Sequence, residues 1–417
     1  MKIPIRALQI LLLIHWFLLA PFLPAYAETP LPTLSLDKVR SRALVESPEV
    51  RKIDATLSAK IAQALSLEQL QNPQLQGSVG IPASYDGQRP DSQLNLTLSQ
   101  PLRLSDFGNR STVGSLIRSV ASREKQFELQ SFLVELTVAY CSLWAAQIEE
   151  GHLEEQLDRA NSVYRLVKQP TAIGQFRPPQ KHTAKATVAK LEAALLGMMH
   201  SKAKLKATLT RLTGFTIGEE RLVKPEIESL PPFSRIWTEV KANEQGLIKR
   251  YMLQSRLDDE KVRLADTDTL SAGIQPQIGY ARNEDGNHFV GLGFTIPLPF
   301  FNTNNGNREA ARATRDQSSA FLSYFKSKRF KEEFKLLYDG ATAKYQQANK
   351  YEEEVLPALR SALKSSEELF QNGQLSLFEL WTAQTDYHAA LDRTTELFVE
   401  AFQDHLQLSL ISGDLTF

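Results

Sequence analysis

The chain contains the same arrangement of residues twice, about 200 positions apart. Leu94–Arg110 reads LNLTLSQPLRLSDFGNR, and Val290–Arg308 reads VGLGFTIPLPFFNTNNGNR. Both segments have alternating apolar residues, a Pro-Leu pair, a polar turn and Gly-Asn-Arg. Shorter matches at nearly the same offset pair Pro73-Gln74-Leu75 with Pro276-Gln277-Ile278, and Gly174-Gln175-Phe176 with Gly373-Gln374-Leu375. Internal repetition at this scale predicts two equivalent structural units, which we place at residues 28–222 and 223–417.

Each unit contains a predicted β-hairpin, at about 74–104 and about 274–298. In the first, Leu94, Leu96 and Leu98 alternate with polar residues, which is the pattern of a strand with one wet face. The second return strand repeats the pattern with Val290, Leu292, Phe294, Ile296 and Leu298. Strands of about ten residues suit a tilted span of a bilayer, but a small soluble subdomain packed on helices fits equally well. Small membrane barrels have about eight strands, so a membrane role for four strands requires several chains to pool them.

A helical segment precedes each predicted hairpin. Apolar residues recur at helical spacing over residues 36–71 and again over about 233–265. The Ser47-Pro48 pair predicts a break or bend in the first segment, because the residue before a proline is biased away from the helical conformation. The stretch 213–234 is rich in Pro, Gly and charge, and we predict a linker or a small side element there.

A long helical hairpin follows each β-hairpin, at about 108–213 and about 306–412. Its first helix is predicted to run without interruption and would be about 90 Å long in either copy, although Pro357 lies within the second. Helices of this length are typical of coiled coils and helical tubes. Gly174 and Gly373 mark the turns to the returning helices. We therefore predict a mainly α fold, in which each repeat is helix, β-hairpin, long helix, turn and helix.

The N-terminus has the features of a secretory signal peptide at residues 1–27. Basic residues precede a short apolar run, and Ala25-Tyr26-Ala27 matches the small-x-small cleavage pattern. A transmembrane anchor is the alternative, but the run is short of the roughly 20 residues needed to span and contains prolines. No second apolar run approaches spanning length. Because residue 28 is Glu rather than Cys, a lipid anchor at Glu28 is not expected.

Composition and motifs give no indication of an enzyme. Basic and acidic residues both number 48, so the chain has no bulk attraction to nucleic acid. The sequence lacks HExxH, GxSxG and phosphate-loop motifs, and Cys141 is the single cysteine. Met198-Met199-His200 could bind a soft metal, but packing within a helix or chance is the simpler interpretation. We therefore expect no catalytic residues, no cofactor and no metal site.

Three stretches of the sequence are similar to one family. Leu36-Asp37 with Ser47-Pro48-Glu49-Val50 matches an N-terminal helix, and Phe370-x-x-Gly373-x-x-Ser376 with Trp381-Thr382-Ala383-Gln384 matches a last helical turn and return helix. The most specific is Ile296-Pro-Leu-Pro-Phe-Phe301 followed by an Asn-rich turn and an Ala-rich helix. With these features the whole mature chain resembles the TolC family of outer-membrane efflux channels, and within it the branch that includes CzcC and CusC.

The resemblance implies a homotrimer in the outer membrane. Four membrane strands per chain would form a twelve-stranded barrel, and the helices would form a periplasmic tube. It further implies a periplasmic adaptor and an inner-membrane pump of the resistance-nodulation-division type as partners, with metal cations or drugs as substrates. A soluble periplasmic coiled-coil adaptor or structural rod is the alternative from another class.

The resemblance also assigns roles to individual residues. The predicted strand-to-helix joints contain Pro101, Gly108, Pro297, Pro299 and Gly306. The predicted adaptor contacts at the periplasmic tips are Gly174, Gln175, Phe176, Gly373, Gln374 and Leu375. By spacing from Gly373, the pore constriction falls at Glu379 and Thr382; Glu379 fits the family's acidic pattern, whereas Thr382 departs from it. A surface glutamate without such a role is the alternative for Glu379.

Overall fold

The computed structural model describes residues 32–80, 92–102, 107–168, 178–243, 246–267, 273–283, 285–296, 298, 300–301 and 303–413. Several predictions fall outside these ranges. They are the signal peptide at 1–27, the expectation that Glu28 carries no lipid anchor, the first tip at Gly174, Gln175 and Phe176, and the prolines of the second strand-to-helix joint, Pro297 and Pro299. These therefore stay predictions.

The described chain is mostly helical, as predicted. Its helices are α1 (Leu36–Glu46), α2 (Pro48–Glu68), α3 (Phe107–Lys168), α4 (Pro178–Thr213), α5 (Phe233–Ala242), α6 (Leu247–Thr267), α7 (Asn305–Lys326), α8 (Lys328–Lys350), α9 (Leu356–Gln371) and α10 (Leu377–Ser412). Its strands are β1 (Thr33–Leu34), β2 (Gln74–Gly80), β3 (Gln93–Ser99), β4 (Arg221–Leu222), β5 (Gln275–Arg282) and β6 (His288–Thr295). The break predicted at Ser47 is confirmed, because the Ser47 hydroxyl accepts a bond from the Glu49 N–H and caps α2.

One antiparallel sheet combines the hairpins of both copies in the order β2-β3-β5-β6. The last strand is shorter than predicted. β6 ends at Thr295, so Ile296 and Leu298 lie beyond it. Proline has no N–H to donate to a ladder, so the prolines that follow in the sequence are not expected to extend the pairing.

The long helix predicted for the second copy is wrong, although its counterpart in the first copy is continuous. Helix α3 runs for 62 residues, whereas the equivalent segment is broken at Ser327 and contains a π-helical turn, Tyr351–Val355, within its second part. Ser327 has an extended backbone and its side chain accepts a hydrogen bond from the Phe330 N–H at 3.2 Å. A serine can replace a missing backbone partner in this way, which explains a break without proline or glycine.

One helix in the described part of the chain is long and apolar enough to cross a membrane by composition, over Gly108–Lys168 of α3. This corrects our expectation that no further segment approaches that limit. Half of its most apolar window is buried inside the chain. Leu136 and Tyr140 of α3 are completely buried in the largest hydrophobic cluster, so packing within the protein accounts for its apolar character.

The segment between the two copies is a small side element, as predicted. Strand β4 pairs in parallel with β1, and Tyr140 holds this pair against α3. The Tyr140 hydroxyl lies 2.8 Å from the carbonyl oxygens of both Leu34 and Val223. The pairing therefore ties the start of the first copy to its end.

Helix α3 is the central helix of the chain. Near the sheet it packs against α2 and α6, and toward its other end against α4 and α10. Helix α7 packs on α6, and α8 and α9 pack on α10. Elements of the first copy (β2, α2 and α4) therefore form one border of the chain, and elements of the second copy (β6, α7, α8 and α9) form the other.

Candidate functional site

The four-stranded sheet has one apolar and one polar face. Directly paired residues of antiparallel strands share a face, and the register pairs Leu75 with Leu98, Leu96 with Tyr280 and Ile278 with Leu292. The other face carries the alternating positions, including the pairs Gln76 with Thr97, Asn95 with Ala281 and Gln277 with Gly293. The predicted alternation is therefore confirmed for all four strands.

Side-chain contacts agree with this assignment of faces. The Leu96 side chain lies over Gly77 on the apolar face, and the Gln277 side chain lies over Gly293 on the polar face. Large residues of the apolar face are exposed rather than packed on helices, and Leu292 is 87% exposed. Soluble monomers seldom leave a continuous apolar surface of this kind in water, so this face requires lipid or a partner.

The strand-to-helix joints have equivalent positions in the two copies. Gly108 and Gly306 are both the second residue of the helix that follows the sheet, and each faces open space. Pro101 is buried, and the adjacent Leu102 forms a single bridge with Ile274 that continues the sheet toward the helices. The residue before α7, Asn304, is in the left-handed region with φ of 62° and makes no side-chain cap bond. The joint roles stay predictions.

The second helical tip is a tight, fully capped turn. Helix α9 ends in a Schellman motif, in which the Gln374 N–H donates to the Leu369 carbonyl at 2.9 Å and the Gly373 N–H to the Phe370 carbonyl at 3.0 Å. Gly373 has φ of 70°, a conformation that a residue without Cβ adopts most readily. Gly373 and Gln374 are exposed and Leu375 is half-buried, so a partner could reach them.

Glu379 is part of a capping box at the start of α10. Its carboxylate accepts bonds from the Ser376 N–H at 2.9 Å and from the Ser376 hydroxyl, and that hydroxyl also lies 3.3 Å from the Glu379 N–H. The hydrogen bonds from the Ser376 side chain and backbone lower the pKa of Glu379. Thr382 is also exposed, but its hydroxyl donates to the Phe378 carbonyl of its own helix. The structure thus gives Glu379 a structural role that is compatible with a pore-lining position.

The start of α10 is packed against the end of α3. Leu377 and Leu380 are each 2% exposed and belong to a cluster with Val163, Val167 and Leu363. Phe378 points away from this cluster and is 76% exposed. The tip therefore has a firm internal attachment and an exposed aromatic side chain.

A charged network that the sequence did not reveal joins α3 and α9 and lies beside His388 of α10. Arg159 pairs with Glu155 at 2.7 Å and with Glu367. His388 of α10 is 7% exposed, and its Nδ1 has no hydrogen-bond partner among the described residues. Burial, reinforced by the nearby Arg159 cation, lowers the pKa of His388 to about 4. Only the packing of three distant segments creates this environment, so no local pattern indicates it.

We expect the protein to lose stability as the pH falls from about 6.5 to about 4. An unfolded His388 takes up a proton near the ordinary histidine pKa of 6.5, whereas the folded residue, whose pKa is lowered, does so only near 4. The contribution of neutral His388 to the free energy of unfolding is thus complete above pH 6.5. It is lost progressively as the pH falls toward 4, by up to about 3 kcal/mol. Thermal unfolding of the purified protein across this range measures the effect.

A His388→Gln variant is the control for that prediction, because glutamine stays neutral throughout. His405 is also buried with a lowered pKa and contributes its own pH dependence, so the two slopes must be compared. Equal slopes for wild type and variant would show that His388 does not titrate as expected.

Packing does not explain the Met198-Met199-His200 segment, which leaves chance as the simpler of the two interpretations. Met199 is 51% exposed and His200 is exposed on α4. Within the described residues, no group of three or more His, Cys, Asp or Glu side chains could hold a metal ion. Glu352, in the acidic run of the π-helical turn, is exposed and pairs with Lys224 at 2.8 Å.

Solved structures with a similar arrangement of sheet and helices include outer-membrane channels. VceC of Vibrio cholerae is 18% identical with a TM-score of 0.68, over 91% of this chain and 96% of that one. CmeC of Campylobacter jejuni is 14% identical with a TM-score of 0.70, over 91% and 85%. CusC is 15% identical with a TM-score of 0.70, over 90% and 91%. These similarities establish the predicted TolC-like fold.

A family match in the sequence agrees with the fold. Residues 39–215 match the outer membrane efflux protein family. No curated protein matches the chain. The family consists of transport channels rather than enzymes, in agreement with our prediction. By this match over residues 39–215 and by its TolC-like fold, the chain is similar to the outer membrane efflux protein family.

Proposed function

We propose that the chain is the outer-membrane channel of a tripartite efflux system and conducts substrates passively to the exterior. The single observation that carries the proposal is the two-faced sheet, whose apolar face is exposed and whose outer strands have a free edge within the described residues. No residue performs covalent chemistry in this function. The energy comes from an inner-membrane pump, and the protein supplies a continuous path.

The sheet edges support assembly with further copies of the chain. Strands β2 and β6 are the outer strands, so each has one edge with no partner strand among the described residues. In lipid, each backbone N–H or C=O group without a hydrogen-bond partner costs about 2–7 kcal/mol relative to water. Pairing β2 of one copy with β6 of the next satisfies both edges, and this head-to-tail contact forms a ring when the rotation closes.

The helices support the same arrangement. The two borders of the protomer also expose apolar side chains, Leu196 and Met199 on α4 and Leu336 on α8. A ring that pairs β2 with β6 brings the α4 border of one copy toward the α8 border of its neighbour. With three copies, as the family resemblance implies, the ring has twelve strands.

The tips and their partners complete the proposal. Gly373, Gln374 and Leu375 form the described tip, and together with the first tip they would contact a periplasmic adaptor, with Phe378 nearby as an exposed apolar group. The adaptor links the channel to a pump of the resistance-nodulation-division type. Similarity to the branch that includes CzcC and CusC favours metal cations over drugs as substrates.

Membrane fractionation and bilayer recording test the proposal together. We expect the protein in the outer-membrane fraction as a heat-modifiable trimer that conducts ions in a planar bilayer. A soluble periplasmic pool without channel activity would overturn the proposal and favour the coiled-coil adaptor or rod. The exposed apolar face of the sheet argues against that alternative.

We further propose that the Glu379 carboxylate lines the constricted end of the pore. Because Glu379 also caps α10, Glu379→Gln is a better test than Glu379→Ala: glutamine retains a capping-box acceptor and removes the charge. We expect weaker block by divalent cations and altered single-channel conductance. A Ser376→Ala variant weakens the cap and keeps the charge, so it controls for loosening of the tip. Unchanged block in Glu379→Gln would refute the role.

A further inference from the structure

We propose that the polar face of the four-stranded sheet is an uncharged, hydrogen-bonding pore wall that admits cationic, anionic and neutral substrates without selecting among them by charge. This inference rests on the proposed function, because it takes the polar face to line a lumen. Selection by charge then belongs to the helical part of the channel.

Every side chain on the polar face of the described strands is uncharged. Amides are contributed by Gln74, Gln76, Gln93, Asn95, Gln275 and Gln277, and hydroxyls by Ser78, Thr97, Ser99 and Thr295. The remaining positions are Gly80, Gly279, Ala281, Phe289, Gly291 and Gly293. Phe289 is the one large apolar residue of this face within those strands, and it lies at the turn end beside Ala281.

The ionisable residues of the strands lie on the opposite face. Arg282 pairs across the ladder with His288 and with Leu94, so it shares the apolar face and sits at the turn end of the hairpin. Tyr280 is on that face too, and its hydroxyl lies 2.6 Å from His288 Nδ1. Polar tips at the end of an apolar surface suit the boundary between lipid and water.

The uncharged surface is long enough that charges elsewhere in the chain have little effect on the electrostatic potential at its middle. Strands of seven or eight residues extend about 25 Å at 3.3 Å per residue. The Debye length at physiological salt is about 8 Å, so the middle of the sheet is screened from charges in the helices and at the turns. Carboxylates near the tip, including Glu379, therefore cannot impose cation selectivity on this part of the path.

Amides and hydroxyls offer both donors and acceptors, so they solvate either sign of charge. A wall with carboxylates would instead concentrate cations, because charged clefts raise the local concentration of counter-ions by about tenfold or more. The sheet thus provides no preference for metal cations. If metals are the substrates, their selection is completed before they reach the outer membrane.

Cysteine modification in the assembled channel tests the proposal. Asn95→Cys and Thr97→Cys lie on the polar face of β3, and Leu96→Cys lies between them on the apolar face. Each is treated with membrane-impermeant methanethiosulfonate reagents of similar size that are either cationic or anionic; the thiolate forms a mixed disulfide and releases methanesulfinate. Native Cys141 is a suitable background, because it is buried and burial raises its pKa to about 12.

We expect both polar-face cysteines to react with both reagents. For each variant, the rate with the cationic reagent is divided by the rate with the anionic reagent, and this ratio is compared with that of free cysteine. Because no local charge favours either reagent, the two ratios should agree within about threefold. Leu96→Cys should react at least about tenfold more slowly with either reagent, because its face is covered by lipid.

A preference of about tenfold for either reagent, equivalent to about 1.4 kcal/mol, would overturn the neutral wall. So would an absence of reaction at both polar-face positions in variants that still conduct. If wild type neither conducts nor reaches the outer membrane, the proposed function itself is wrong. Equal reaction at Leu96→Cys and Asn95→Cys would likewise show that no lipid covers the apolar face.

Discussion

Leu292→Arg should prevent assembly of the channel in the outer membrane. Leu292 lies near the middle of β6 on the apolar face and is 87% exposed. An arginine on the lipid face near the bilayer midplane costs about 2–4 kcal/mol per chain, and a trimer pays this three times, about 6–12 kcal/mol. We expect the heat-modifiable trimer in the outer-membrane fraction to fall by more than about tenfold.

Gln277→Arg is the matched control for that substitution. Gln277 lies on β5 directly opposite Gly293, the neighbour of Leu292, but on the polar face of the same sheet. A charge there remains in water and should leave the yield of trimer within about twofold of wild type. Similar losses in both variants would mean that the sheet does not have one lipid face, and would contradict the membrane assignment.

Leu380→Ala should loosen the helical tip from the body of the chain. Leu380 is 2% exposed between α10 and the end of α3, and truncation of such a leucine costs about 2–5 kcal/mol. This cluster attaches the first turns of α10 to α3. We therefore expect the free energy of local unfolding of these turns to fall in the variant. Hydrogen exchange of the tip amides should accelerate by about thirtyfold or more, since each 1.4 kcal/mol corresponds to tenfold.

Phe378→Ala separates this effect from loss of an exposed apolar group. Phe378 is two residues away and 76% exposed, so its removal should change local stability by no more than about 0.5 kcal/mol. Under the proposed function it should instead weaken binding of an adaptor. Equal exchange rates in the two variants would show that the cluster around Leu380 does not hold the tip.

The sheet could be predicted well because its signal is local. Alternation at Leu94, Leu96 and Leu98 requires only that successive side chains of a strand point to opposite faces, and the second copy shows the same alternation. The turn at Gly373 was likewise indicated by a glycine after a long helical pattern. The predicted end of β6 was less accurate. Ile296 continues the apolar alternation of this strand but lies after its last paired residue, Thr295.

Other features could have been recognised and were missed. Ser376-Leu-Phe-Glu379 has the spacing of a capping box, and this pattern accounts for Glu379 without reference to a pore. The break at Ser327 had a weaker signal, because a serine within a helical pattern is usually a surface residue. Its capping role becomes visible only from the bond to the Phe330 N–H.

The repeat, the strand faces and the mainly helical fold can be predicted from the sequence, because they depend on periodicity along the chain. Which distant residues meet is apparent only in the folded chain. The packing joins the two hairpins through β3 and β5 into a single sheet, whose outer strands have no further partner strand in the part of the chain that the structure describes, and it buries His388 beside Arg159. Such contacts depend on how helices and strands far apart in the chain pack together, and the energy of that packing has no local signature in the sequence.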